Sequence, residues 1–507
     1  MKLRVLLYAA ALVTGLRSAV AAEDPLRAIE VAELHRTVDP ALVAALDGPP
    51  PLAGRAALAL GRTKRAEGAG PLRAHLTVAD PGVRALVVYG LGLLGDAGSL
   101  DFILGSSARD GNSAVRYAAV DAIGRIVLAV PGAGGRDVAL GVLGVARRDA
   151  DPIVRAHAAA QLDVFASAAF APQIVRGLEE SVQRDRVADV RQHAAWAVYR
   201  RYAKVADAGF LRRAVRDRDE LVRVEALRAW GRRADAGAAA VVRPLLSDRS
   251  WRVQLEAGEA LRRLAKQPPT EHLTADPPGL HLPSIPKPSS SSSLPAVMSA
   301  VAPSTPATMP PMGASPGEPS SPGSPEPKPA APDPATLPLE ARARLPVSAA
   351  EMNAAASGPH PRVSIVTTKG ELIVRLYPEW APSTVANFIA LAERGYFNGN
   401  RWFRIVPDFV VQTGDKNDNV DGDPGFSIPA EENPIEQRSG IISMGLDYEG
   451  SHAKRDSAGS QFYITLSPQL HLDRDFTVFG EVQSGFAVLA HLVESDRMTV
   501  VRRIADQ

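Results

Sequence analysis

The chain has 507 residues, which exceeds the size that one hydrophobic core normally organises, so we expect more than one domain. Its 57 basic and 56 acidic residues leave a net charge of +1, which gives no electrostatic reason to expect a nucleic-acid or anionic-membrane partner. The absence of cysteine excludes disulfide bonds, thiolate metal sites and a cysteine nucleophile, and the ten histidines show no metal-ligand spacing, so no cofactor is predicted.

Residues 1–22 have the pattern of a secretory signal peptide. Lys2 and Arg4 precede an apolar run over residues 5–16, and small residues at 18–22 lead to Glu23 and Asp24. A charged start, a short hydrophobic stretch and small residues are typical of export signals, and the run is too short to span ~30 Å of hydrocarbon. An ordinary first helix is the alternative interpretation. The pattern predicts an exported protein, periplasmic or secreted, without stable membrane insertion after cleavage.

Residues 23–266 repeat a segment in which an acidic residue precedes a valine, usually followed by arginine, and then small apolar residues at helical spacing. The valines of successive copies lie 32, 39, 36, 32 and 31 residues apart. They are Val83, Val115, Val154, Val190, Val222 and Val253. Such periods indicate stacked helical hairpins, and the motif resembles that of HEAT-type repeats. We expect an all-α solenoid that binds an unidentified protein partner.

The arginines of these repeats allow two interpretations, a basic binding stripe or ion pairs within each repeat. An aspartate precedes several of them by four residues, a spacing that favours pairing along one helix. The pairs predicted on this basis are Asp80–Arg84, Asp151–Arg155 and Asp219–Arg223.

Residues 267–358 differ sharply in composition from the repeats. Twenty-two of the 42 prolines lie within residues 268–346, with five consecutive serines at 289–293, and no aromatic residue occurs between Trp251 and Tyr377. Such a segment cannot bury enough apolar surface to offset chain entropy. The composition predicts a disordered Pro/Ser/Ala-rich linker.

Residues 359–507 switch to the two-residue period of β-strands. Strands are predicted at 363–367 and 371–376, and later at 440–445, 461–466 and 477–482. Pro382 begins a predicted helix that ends at Gly395, and a short helix is predicted at 486–493. Many short strands with two helices predict a closed β-barrel capped by helices. The whole chain is therefore expected to be multidomain, with solenoid, linker and barrel in that order.

Two motifs in this last region carry the functional prediction. Residues 402–415 read WFRIVPDFVVQTGD, and residues 458–464 read AGSQFYI. Together they resemble the cyclophilin-type peptidyl-prolyl cis/trans isomerases, in which the two stretches form one wall of a proline-binding pocket. The size and element order of residues 359–507 are also similar to that fold.

The resemblance implies a role for eleven residues of this sequence. Arg404 and Gln412 take the catalytic positions, the first as hydrogen-bond donor to the substrate imide nitrogen. Phe409 takes the place of the ring against the substrate proline. The other implied substrate-binding residues are Val410, Gly445, Leu446, Gln461, Tyr463, His471, Leu472 and Phe476.

Several of these positions depart from the family pattern. Tyr463 stands where phenylalanine is usual, and Gly445-Leu446 replaces a usual Ala-Asn pair. Phe476 replaces a frequent histidine, and His471 stands where cyclosporin-sensitive members carry tryptophan, either as a contact residue or as part of a surface loop. Strand alternation alone places Phe409 and Gln412 on opposite faces, so their pairing rests on the resemblance.

The resemblance implies a peptidyl-prolyl cis/trans isomerase that acts on proline-containing polypeptides and assists the folding of exported proteins. The alternative is a non-catalytic scaffold whose barrel only binds proline-containing segments. The acidic loop at residues 415–423 resembles a calcium loop, but the matching register places Ile428 where a bidentate glutamate belongs, so no metal is predicted.

Overall fold

The computed structural model of the protein describes residues 25–130, 136–165, 170–235, 237–267, 360–418, 422, 424–449 and 452–504. The predicted signal peptide and all but the first residue of the predicted linker lie outside this part of the chain. No helix within it is long and apolar enough to cross a membrane.

The N-terminal region is a series of helices stacked as hairpins. In chain order, α1 to α15 are Pro25–His35, Pro40–Ala44, Pro50–Thr63, Ala69–Ala74, Pro81–Leu94, Leu100–Gly105, Ser113–Ala129, Arg136–Ala146, Pro152–Gln161, Ala171–Arg184, Ala188–Ala197, Ala208–Ala214, Glu220–Arg233, Ala238–Val242 and Trp251–Leu264. Their buried faces are mostly Ala, Val and Leu. These small side chains allow close helix packing: a Cβ added at Gly61 would lie 2.6 Å from the Cα atom of Gly90.

The repeated arginines pair with aspartates of the next repeat, which corrects the predicted pairing within each repeat. Arg155 donates to both carboxylate oxygens of Asp185 in the next repeat, at 2.8 and 3.2 Å. Asp151, its predicted partner, instead caps α9 by accepting from the Ile153 amide at 2.9 Å. A helix N-terminus leaves amide groups unpaired, so the aspartate satisfies them while the long arginine reaches across the repeat boundary.

The same bridge recurs along the solenoid and links each repeat to the next. The other pairs are Arg84–Asp110, Arg116–Asp149, Arg191–Asp217 and Arg223–Asp248. Asp80 and Asp219, the remaining aspartates of the predicted pairs, likewise cap helices.

Within its described residues, the C-terminal domain contains ten strands and two α-helices. Strands β1 to β10 are Arg362–Thr367, Gly370–Leu376, Arg404–Val406, Val410–Thr413, Ile441–Met444, Tyr448–Glu449, His452–Ala453, Phe462–Thr465, Val478–Ser484 and Met498–Ile504. Helices α16 and α17 are Pro382–Glu393 and Phe486–His491. The predicted strands and helices are found within a few residues of their expected bounds, whereas β6, β7 and β10 were not predicted.

Eight of these strands form one curled antiparallel sheet in the order β10-β1-β2-β9-β5-β8-β4-β3, and β6 pairs with β7. Within the described residues the two edge strands, β3 and β10, do not pair with each other, so the predicted closed barrel is not confirmed. A single bridge between Arg401 and Arg497 joins the two edges. The sheet wraps an aromatic core that includes Trp402, Phe462 and Phe479.

The C-terminal domain packs against the solenoid at several points along its length. Near the first repeats, the fully buried Arg62 donates to the carbonyl oxygens of Glu432 at 2.8 Å and Trp380 at 2.6 Å. In the middle, Glu436 accepts from the imidazole of His157, with 3.0 Å between Oε1 and Nδ1.

Candidate functional site

Arg404 and Gln412 face each other across the β3–β4 hairpin. The two residues are direct partners in the antiparallel register. Arg404 Nη1 donates to Gln412 Oε1 at 3.3 Å. Direct cross-strand neighbours have side chains on the same face, so the hairpin aims the guanidinium and the amide into one space.

Phe409 joins this pair because it lies outside the regular strand. It follows Asp408, whose φ of 54° is in the left-handed region, and its amide donates to the Val406 carbonyl at 3.1 Å. The turn removes Phe409 from the alternation that would place it opposite Gln412. The Cζ atom of Arg404 consequently lies 5.6 Å from the centroid of the Phe409 ring.

The carbonyl of Asp408 is held by three donors, which fixes the turn that carries Phe409. Ser467 Oγ donates at 2.6 Å and Gln469 Nε2 at 3.1 Å. The third donor is Arg228 Nη2 of the solenoid, at 2.8 Å from the carbonyl oxygen and 2.5 Å from carboxylate Oδ2. Sequence reasoning missed these residues. Pro407-Asp408 is a turn signal, but nothing in the sequence links Arg228 to a residue 180 positions later.

Gln461 extends the polar side of the site. Its Oε1 accepts from Gln412 Nε2 at 3.2 Å, and its Nε2 donates to the Gly422 carbonyl at 2.8 Å. The Gly445 amide donates to the Gln461 carbonyl at 2.8 Å, and a Cβ added at Gly445 would lie 3.5 Å from Gln412 Nε2. Arg404, Gln412 and Gln461 are therefore linked in series by hydrogen bonds. The backbone at Gly445 lies close to the Gln412 amide in this series.

The apolar side of the site is a compact buried cluster. Val410, Tyr463, Leu472 and Phe476 are buried together, and Leu446 and Phe409, both half-buried, pack against them. The Tyr463 and Phe476 rings meet edge to face at 5.6 Å between centroids. Burial raises the pKa of Tyr463 well above its ordinary value, so its hydroxyl is neutral.

His471 contacts the site rather than lying apart from it in a surface loop. Its ring stacks on Phe409 with 5.9 Å between centroids and 12° between planes. Burial, and then the positive charges of Arg200, Arg228 and Arg232, lower the pKa of His471 to about 3. The imidazole is therefore neutral at physiological pH.

All eleven residues named from the sequence are thus connected by contacts among β4, β8 and the loop that contains Leu472 and Phe476. The group combines an apolar cluster with a cation held beside it by an amide. Within the described ranges, no group of three His, Asp or Glu side chains is placed to hold a metal ion. In the acidic loop, Asp415 accepts from the Asn417 and Gly422 amides at 2.7 and 2.8 Å, which gives this carboxylate a structural role.

Comparison with known proteins matches both regions of the chain. Residues 362–505 match the sequence model described as "Cyclophilin type peptidyl-prolyl cis-trans isomerase/CLD", and residues 40–124 match that described as "HEAT repeats". The chain is 42% identical over 129 residues to Peptidyl-prolyl cis-trans isomerase B of Bacillus subtilis, covering 25% of this chain and 86% of that protein. It is 35% identical over 142 residues to a peptidyl-prolyl cis-trans isomerase of Synechococcus elongatus, covering 28% and 94%. The chain is also similar to a crystal structure of a cyclophilin type peptidyl-prolyl cis-trans isomerase of Cryptosporidium parvum, with 25% sequence identity and a TM-score of 0.27. The match covers 29% of this chain and 99% of that protein.

Proposed function

Because the chain belongs, through residues 362–505, to the cyclophilin-type peptidyl-prolyl cis-trans isomerase family, we propose that it isomerises Xaa-Pro bonds in exported polypeptides and so assists their folding. The HEAT repeats ahead of this domain supply a surface for protein binding.

The reaction requires a site that favours a twisted amide over a planar one. Amide resonance imposes a barrier of about 18–20 kcal/mol on rotation of the bond. When the bond twists, the imide nitrogen becomes pyramidal and regains a lone pair, which can accept a hydrogen bond. A donor that meets this lone pair only in the twisted state accelerates rotation, because it stabilises the transition state and not the ground state.

The observation that carries the proposal is the position of Arg404 beside the apolar cluster that includes Phe409. Its guanidinium is held by Gln412 and lies 5.6 Å from the centre of the Phe409 ring. A proline ring seated against Phe409 would place its imide nitrogen within reach of this cation. Arginine suits the role because it remains charged at all physiological pH values and offers several N–H groups in a rigid fork.

The hydrogen bonds around Arg404 add pre-organisation. Gln412 is itself fixed by Gln461, so the guanidinium is aimed before substrate arrives. A donor that needs no reorientation during the reaction contributes more to rate than a mobile one. No nucleophile or metal is required for this chemistry.

A protease-coupled assay of Xaa-Pro tetrapeptides tests the activity. We expect Arg404→Ala to lower kcat/KM by about 10²- to 10³-fold, the typical effect of removing one transition-state donor. Arg375→Ala is the control, because Arg375 lies on β2 in the other half of the sheet. Equal and near-background rates for wild type and Arg404→Ala would leave only the scaffold alternative, in which the domain binds proline-containing segments without turnover.

Export is supported by the charged, apolar and small residues of positions 1–22. Expression in a bacterial host, followed by fractionation and N-terminal sequencing, tests it. We expect a mature protein that begins near Glu23 outside the cytoplasm. A cytoplasmic protein that retains Met1 would contradict the proposal.

A further inference from the structure

The last repeats of the solenoid lie beside the proline pocket. Leu470 belongs to the domain that contains the pocket, yet its buried side chain packs into the hydrophobic core of the solenoid. Leu470 begins the 3₁₀ turn Leu470–Leu472, whose next residue, His471, stacks on Phe409. This turn therefore brings the solenoid surface to the rim of the pocket.

Tyr199 is the centre of the solenoid surface at this rim. The Cζ atom of Arg232 lies 4.2 Å above the Tyr199 ring, and that of Arg228 lies 5.7 Å from its centroid. Arg232 also donates to the carbonyl of Arg200 at 2.8 Å and to the hydroxyl of Tyr199 at 3.3 Å. Because Arg228 also bonds the residue that precedes Phe409, one short series of contacts connects these arginines to the pocket.

The arginines differ in how their charge is balanced. Arg228 is buried and has carboxylate partners, Asp408 at 2.5 Å and Glu225 at 3.0 Å. Arg200 and Arg232, by contrast, form no ion pair within 4.0 Å with any carboxylate of the described residues. Neither charge is therefore neutralised by a carboxylate within that distance.

Arg200 is the more constrained of the two. It is half-buried against Trp196, with its Cζ atom 5.8 Å from the ring centroid, and its Nε atom is buried without a hydrogen-bond partner. Burial lowers the pKa of Arg200, yet arginine stays charged in this range. A partly desolvated cation with an unused donor is stabilised when an anion binds.

The field of these arginines reaches the pocket rim. Burial is the main reason that the pKa of His471 is low, and the charges of Arg200, Arg228 and Arg232 lower it further. A carboxylate near His471 would experience the same charges as an attraction. A lysine in that position would be repelled.

We propose that Arg200 and Arg232 form a subsite for an acidic side chain of the polypeptide whose proline occupies the pocket at Phe409. The HEAT solenoid thereby contributes to substrate selection by the isomerase. This inference rests on the proposed function, and it assigns acidic segments flanking the proline as the preferred substrate class.

The test compares peptides of identical length that carry Glu, Gln or Lys at each of the three positions on either side of Xaa-Pro. Turnover (kcat/KM) and binding (Kd from fluorescence polarisation) are measured on the full chain. We expect one position at which the Glu peptide is favoured over the Lys peptide by about 10-fold, since a solvent-accessible charge pair adds a modest attraction and the lysine adds repulsion.

The double variant Arg200→Gln/Arg232→Gln should reduce this ratio to about 2-fold or less, and 500 mM salt should do the same to the wild type. Arg249→Gln is the matched control, because Arg249 is an exposed solenoid arginine whose guanidinium also bonds a backbone carbonyl, that of Arg218 at 2.9 Å. Because the Glu-to-Lys ratio of kcat/KM is taken within each protein, a general loss of activity in a variant does not change it. If the double variant does not fold, the salt titration of the wild type decides.

A wild type that treats Glu and Lys peptides alike would overturn the subsite, as would a preference that survives in the double variant. Failure of the isomerase proposal has a different signature, because turnover would then be absent with every peptide. Kd would in that case still report the charge preference on its own.

Discussion

His157 of the solenoid should make the stability of the protein depend on pH between neutrality and about pH 9. Its imidazole is buried between two carboxylates, with Nδ1 at 3.0 Å from Glu436 and Nε2 at 3.4 Å from Asp121. It also stacks on Tyr117 at 4.2 Å between ring centroids. Burial opposes the charged form, but the hydrogen bonds and charges of Asp121 and Glu436 outweigh it and raise the pKa of His157 from 6.5 to about 9.

This change in pKa corresponds to about 3 kcal/mol of folding free energy, since each pKa unit is worth about 1.4 kcal/mol. The folded-state pKa lies above the unfolded value, so the protonated imidazole stabilises the folded protein fully below pH 6.5. The contribution is lost as the pH rises through about 9. Because Glu436 belongs to the C-terminal domain, part of this free energy holds the two domains together.

Urea unfolding of wild type and His157→Gln at pH 6 and pH 10 measures the effect. The loss of unfolding free energy caused by His157→Gln should be about 3 kcal/mol larger at pH 6 than at pH 10. His193 and Asp473 lie near the same glutamate and titrate in both proteins, and Arg438 beside it stays charged throughout, so the difference between the two proteins reports the loss of His157. His75→Gln is the control, since His75 bonds Pro71 and Asp47 within the solenoid. An equal difference at both pH values would show that the imidazole is not charged in the folded state, and would refute the reasoning.

Two further predictions concern the solenoid. Gly61→Ala should destabilise the protein by about 3 kcal/mol in urea unfolding, because its Cβ would lie 2.6 Å from the Cα atom of Gly90 and one helix must move. Gly70→Ala, with nothing within 4 Å of the added Cβ, should be neutral or slightly stabilising, and equal losses would contradict the close-packing argument. A double-mutant cycle of Arg155→Gln and Asp185→Asn should give a coupling of about 1–2 kcal/mol, because the pair is bidentate and mostly buried; no coupling would mean that the inter-repeat bridges add nothing.

Local signals in the sequence were sufficient to predict the helical repeats and most elements of the C-terminal domain, but not β6, β7 or β10. The alternation of 363–367 and 371–376 predicts β1 and β2, and Pro382 predicts the start of α16. These signals act within a few residues, where backbone geometry and side-chain burial have fixed periods. The residues of the candidate site could be named because a family motif supplies long-range information that periodicity does not.

The role of the repeated aspartates and arginines was mispredicted because two partners compete for one carboxylate. Spacing made Asp151 available to Arg155, but spacing ignores the free amide groups at the start of α9. A side chain already positioned by its own backbone satisfies those amides at little entropic cost. The arginine is long enough to reach Asp185 in the next repeat, and no periodicity within one repeat reveals that contact.

Phe409 shows a second limit of sequence reasoning. Strand alternation was a sound rule applied to a residue that is not in a strand. The left-handed turn at Asp408 is held by three donors from two distant segments, one of them in the solenoid. Backbone conformation that depends on tertiary hydrogen bonds cannot be deduced from the residues that adopt it.

The chemistry of the contact between the domains indicates that it fixes orientation more than it adds affinity. Buried groups such as Arg62 and Glu436 lose hydration when the domains meet, and their ion pairs and hydrogen bonds roughly repay that loss. Trp380 and Leu470 supply apolar contact with the solenoid core, and because both domains belong to one chain their association is intramolecular. Polar contacts with strict geometry, such as that of Arg228 with Asp408, then determine how the repeats and the Phe409 turn are placed. Substitutions at such contacts should therefore alter kcat/KM more than they alter the association of the two domains.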